Sequence, residues 1–243
     1  MLHIPLRRLA SALLVLAGVI AIPAVATPAP PDLNGVWRAV DPPQALRTPD
    51  GKLPPLLPAA QRVYEQHIAA RKAGDESFDD TWPCKPPGLP RALSMGLFEI
   101  LQEPGQIFFL FEWNREVRTI DIGISHHEQN MYAPTYFGFS VGTWSGDTLT
   151  VDTTGLNDTT ILDAAGLPHS EELHLVERYR LENAGRALTV LISIDDPKTY
   201  ARPWEMALTF RKQPSEVQIQ EDVCLERKAA DPHNVSHVER NTR

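Results

Sequence analysis

The residues best placed to do chemistry are a histidine in an acidic loop and a few charged groups on otherwise apolar strand faces. The segment Asp163 to Glu172 (DAAGLPHSEE) brings Asp163, His169, Glu171 and Glu172 together. A histidine titrates near neutrality, and a neighbouring carboxylate raises its pKa and orients its ring. The loop runs into a predicted strand, Leu173 to Leu181, whose apolar face carries Glu177. Period two likewise sets Arg118 beside Ile120 and Ile122, Glu99 beside Leu97 and Leu101, and Glu221 on the apolar face of Val217 to Val223. A lone buried carboxylate is costly, so these groups must pair or face a wet cavity. Arg118 with one of the glutamates is the simplest pairing.

Two chemistries follow from these groups. In the first, His169 is a general acid or base, Asp163 or Glu177 its partner, and Arg118 or Arg178 an anion stabiliser. In the second, a cavity holds a small molecule between aromatic walls (Trp37, Phe109, Phe111, Trp204) and fixed polar groups such as Arg118 and Arg178. A structural ion pair and a solvated acidic loop are the plain alternative.

Other patterns carry less. Gly138-Phe139-Ser140-Val141-Gly142 matches G-x-S-x-G, but a nucleophile elbow needs a strand-to-helix turn. Here the next residues, Thr143 to Asp147, lead into a hairpin. His126, His127 and Glu128 suggest a metal site, yet adjacent strand residues point to opposite faces, and no second cluster has ligand spacing. His233 and His237 lie in a charged tail. No metal or cofactor is expected.

The first 26 residues read as a secretory leader: Arg7 and Arg8, an uncharged apolar run from Leu9 to Ile22, then Ala24-Val25-Ala26 as a small-x-small cleavage site. The apolar run is too short for a spanning helix, which needs about 20 residues. Residues 27–225 are then one domain and residues 226–243 a disordered charged tail. The expected location is periplasmic or secreted. There Cys84 and Cys224, the two cysteines, form a disulfide. The chain has net charge −8, more negative still without its leader. An acidic body argues against nucleic acid and anionic membrane surfaces as partners, which leaves a small-molecule ligand or substrate.

One helix is predicted, from about Pro58 to Ala73, with Pro58 in its first turn and Gly74 beyond its end. From Leu93 onward the period is two. Counting Asn34 to Val40, about ten strands are expected, the last being Val217 to Cys224, without βαβ alternation. The fold class is all-β with one helix, in an antiparallel barrel.

Asn34-Gly35-Val36-Trp37 ahead of this run resembles the Gly-x-Trp opening of a lipocalin, whose Trp closes one barrel end. Residues 142–158 (GTWSGDTLTVDTTGLND), 168–180 (PHSEELHLVERYR) and 195–204 (DDPKTYARPW) resemble a family of secreted bacterial proteins without an established activity. The resemblance implies a secreted β-barrel and supplies no reaction. Three functions stay open: a carrier of a small apolar or amphipathic molecule, a cofactor-independent isomerase, lyase or hydrolase, and an envelope interaction protein with a filled core.

Overall fold

The structure is a computed structural model that describes residues 29–125 and 133–226. His126, His127, Glu128, His233, His237, the leader and nearly all of the expected tail lie outside these residues.

Nine strands close into a barrel in sequence order: β1 (Gly35–Ala39), β2 (Leu97–Glu103), β3 (Gln106–Phe111), β4 (Val117–Ile122), β5 (Phe139–Ser145), β6 (Thr148–Thr154), β7 (His174–Glu182), β8 (Ala187–Asp195) and β9 (Trp204–Lys212). The barrel shuts where β9 pairs with β1. A ring with an odd number of strands cannot alternate direction throughout. The mismatch is taken up between β4 and β5, which run parallel (Ile120 opposite Ser140, Ile122 opposite Gly142), so the all-antiparallel expectation fails at this one step. A parallel pair needs a long connection, and residues 123–138 supply it.

That arrangement sorts the connections. One end has tight turns. Gly105 (φ 86°) follows Pro104 between β2 and β3, in the left-handed region a type II turn requires, and Gly146 (φ 60°) stands first in the β5–β6 turn, as in type II′. The other end collects the long loops after β1, β6 and β8. Helix α1 (Pro58–Lys72) belongs to the first of these. It starts at proline, buries Ala60 and Tyr64, and is anchored to the β8–β9 loop where Leu57 N–H donates to the Thr199 carbonyl.

The tenth expected strand does not form. After β9 the chain returns to the loop end without a ladder, bonding instead through Gln220 N–H to Glu112 and Asn114 N–H to Asp222. Val217 and Ile219 alternate as a strand would, but no neighbour is free because β9 already pairs with β1. Glu221 is therefore on the surface, paired with Arg115. The return ends at the Cys84–Cys224 disulfide, which spans 140 residues and ties the 79–95 loop to the chain beyond the barrel.

Inward residues of all nine strands make the core. Phe98, Phe109, Phe111 and Phe210 pack ring to ring, with centroids 5.2–6.4 Å apart. Trp37 is fully buried near the tight-turn end, its indole N–H donating to Leu33 O at 3.0 Å. Among the described residues no helix is long and apolar enough to cross a membrane.

Candidate functional site

The structure sorts the charged candidates into separate neighbourhoods. Arg118 and Glu177 meet inside the barrel, both essentially inaccessible. Arg118 Nη1 donates to Glu177 Oε1 at 3.1 Å and Nη2 to Oε2. Ser140 Oγ takes Nε–H at 3.2 Å, Thr153 Oγ1 takes Nη2 at 2.9 Å, and Tyr179 OH donates to Glu177 at 2.7 Å. Burial, then the charge of Glu177, pushes the Tyr179 phenol well above its ordinary pKa, so it stays a donor. A guanidinium has five N–H donors, and these groups occupy all of them. Ser140, the serine of G-x-S-x-G, is thus an inward residue of β5 and no elbow nucleophile. A pocket of about 380 Å³ between the start of β4 and residues 135–140 touches Arg118 and Ser140 but finds no free donor on the arginine.

Several expected site residues lie elsewhere. Arg178 is exposed on the outer face of β7, since alternation places it opposite Glu177 and Tyr179. Glu99 also turns outward, because Phe98 and Ile100 take the inner face of β2. Trp37, Phe109 and Phe111 pack within the core. Trp204 sits edge-on to Tyr200 at 5.5 Å and buries an indole N–H that has no acceptor among the described residues. Leaving such a donor unmet costs about 1–3 kcal/mol.

Asp163 organises a loop. Its carboxylate accepts the backbone N–H of Leu46 at 2.7 Å and of Ala165 and Leu167 at 3.0 Å. Burial raises its pKa despite these bonds. His169 is held from both sides: Tyr200 OH binds the preceding carbonyl of Pro168 at 2.9 Å, and Asp196 binds Ser170 N–H and Oγ, each at 2.7 Å. His169 Nε2 lies 2.8 Å from Thr160 Oγ1 and Nδ1 lies 3.1 Å from Ser170 O. His169 makes no hydrogen bond to Asp163 or Glu177 and lines a different pocket from Asp163. The expected triad is therefore not assembled.

A pocket of about 420 Å³ opens among the long loops. Met206 and Leu208, inward residues of β9, join Leu46, Pro90, Met95 and Leu162 as its apolar surface. Its polar surface is a cluster that sequence reading missed. Arg91 forks onto Asp79 at 2.7 and 2.8 Å, and Arg71, in the last turn of α1, reaches Asp79 at 3.4 Å. Burial would raise the Asp79 pKa, but Arg91 and Thr81 outweigh it and hold the carboxyl below its ordinary value. Two arginines thus share one buried carboxylate, with Glu76 3.9 Å from Arg71. The one local signal is Asp79-x-Thr81, in which Asp79 Oδ1 accepts Thr81 N–H and Oγ1–H.

No protein-family model matches this chain, and a search of curated proteins finds no match. Among the described residues no group of three or more His, Cys, Asp or Glu side chains is arranged to hold a metal ion.

Proposed function

We propose that this protein is an exported, lipocalin-like binding protein for a small amphipathic molecule. The ligand lies in the loop-end pocket, its apolar body on Met206, Leu208 and Leu162 and its polar end toward Arg71 and Arg91. The observation that carries this reading is the pocket itself: about 420 Å³, within the size range of small-molecule sites, mostly apolar with a few convergent polar groups. Arg71 and Arg91 are the donors on that lining, and with Glu76 and Asp163 beside Asp79 there they favour a ligand with a neutral acceptor end. Export is supported by the leader pattern and the disulfide. The lipocalin-like reading is supported by the closed barrel and by Trp37 buried near one end.

Native mass spectrometry of the full chain, beside the denatured chain, tests the proposal. An adduct of small-molecule mass lost on denaturation is expected. Binding of the fluorescent apolar probe 1-N-phenylnaphthylamine should weaken at least tenfold in Ala164→Trp, which places a large ring in the pocket. A bare mass together with unchanged probe binding in that variant would overturn the assignment and favour an assembly protein with a filled core.

A further inference from the structure

A second pocket, of about 400 Å³, lies between α1 and the loop from β6 to β7 and shares no lining residue with the first. His169 and Thr160 both line it. The Ser170 carbonyl can only accept a hydrogen bond, so His169 Nδ1 carries the proton of the neutral ring. Nε2 is then a bare lone pair, and the Thr160 hydroxyl 2.8 Å away donates to it. Burial lowers the His169 pKa and outweighs the Ser170 carbonyl and the charges of Asp196 and Asp158, so the ring is neutral at pH 7. Thr160 is set in place by a close backbone: a Cβ on Gly88 (φ 71°) would stand 2.5 Å from Thr160 Oγ1. A hydroxyl bonded to a base that is itself oriented by a third group is the arrangement of an activated nucleophile.

We propose that this second pocket hydrolyses small esters with an apolar acyl group, with Thr160 as nucleophile and His169 as general base. Ala60, Val63 and Phe78 give the acyl group an apolar wall, and Lys198, paired with Glu172 at 2.8 Å, lies on the same pocket. Thr160 Oγ attacks the carbonyl carbon while its proton passes to His169 Nε2, and the carbonyl π pair moves to oxygen. The carbonyl re-forms, the bond to the alcohol oxygen breaks, and that oxygen takes the proton from Nε2. Water then attacks the acyl-threonine and gives a proton to Nε2. The acid leaves as Thr160 Oγ regains its proton. This proposal is independent of ligand binding in the first pocket.

The test is labelling of the full chain with a fluorophosphonate, which forms an Oγ–P bond and expels fluoride, with the modified residue located by peptide mass spectrometry. Position 160 should be labelled in the native protein and in Thr160→Ser, and should stay unlabelled in Thr160→Val. His169→Gln, if its near-ultraviolet circular dichroism is native, should react about 100-fold or more slowly, the lower range for loss of a general base. If that variant does not fold, the pH profile of native labelling decides. His67 and Lys198 face the same pocket and Asp158 and Asp196 act on the ring, so the profile must show one rise with its midpoint below about 6.5, the ordinary histidine value. No adduct on Thr160, a folded His169→Gln that reacts at the native rate, or a flat pH profile would each overturn the proposal.

Discussion

The barrel interior and the loop-built end both bury charged groups, yet they treat them in opposite ways. Inside the barrel, Arg118, Glu177, Tyr179, Ser140 and Thr153 use one another completely, so no donor of the arginine is left for a ligand. At the loop end, the Arg71–Asp79–Arg91 cluster and the Thr160–His169 pair each line a pocket. The contrast shows that burial of charge is not by itself a sign of function. Pockets border both regions, and what separates them is whether the polar group keeps a hydrogen-bonding site for what enters: Arg118 uses all its N–H donors, whereas Arg71 Nε–H makes no hydrogen bond among the described residues.

The comparison breaks most sharply at the barrel pair. Arg118→Met leaves Glu177 buried with only the Tyr179 hydroxyl as partner, and should lower unfolding free energy by about 3–5 kcal/mol in urea titrations. Replacing both partners, as Arg118→Met with Glu177→Leu, should recover much of that loss. A double variant as unstable as the single one would mean that the cluster does more than satisfy itself.

Next in size is the clamp on the loop end. Cys84→Ser with Cys224→Ser should cost roughly 2–4 kcal/mol. Hydrogen exchange should quicken first in residues 79–95, while β6 to β9 keep their protection. Equal loosening of both regions would erase the distinction drawn here.

Asp79→Asn should lower stability by about 1–3 kcal/mol, because two arginines lose their charged acceptor. Its carboxyl is held below its ordinary value in the folded state. Its contribution is therefore full above about pH 4, the unfolded value, and is lost as pH falls through the lower folded value. Asp79→Asn should remove that part of the acid transition.

The smallest effect concerns His169. Its folded pKa is depressed, so the stability tied to its neutral form is present above about pH 6.5 and declines as pH falls toward the folded value. The slope from this one group cannot exceed about 1.4 kcal/mol per pH unit. His169→Gln should flatten thermal melting temperature against pH in that window and leave the Asp79 window unchanged.

Much of the barrel was legible because its determinants are local. A strand turns alternate residues to opposite faces, so Glu177 and Arg118 were readable as inward groups that had to pair or face a wet cavity. Proline at position 58 and glycine at 74 bracketed α1 to within a residue or two, and two cysteines behind a leader-like segment implied their bridge. The same local rule misplaced Glu99 and Glu221. Leu97 to Leu101 is apolar on both faces, and Val217 to Val223 has a strand's pattern without a free partner to pair with. Nothing local announces the parallel step between β4 and β5, which follows from closing an odd ring.

The sequence by itself determined the barrel class, the helix, the disulfide and the inward placing of Arg118 and Glu177, because each depends on period, punctuation or residue type within a short window. Only the tertiary structure decided which groups border open space. Arg71, Asp79 and Arg91 come together because α1, the 79–95 loop and β9 are folded to one barrel end. Thr160 and His169 face each other because Asp196 and Tyr200, from the loop between β8 and β9, hold Ser170 and Pro168 on either side of His169. Such contacts depend on loop closure over long sequence separations, and no periodicity in the chain encodes that.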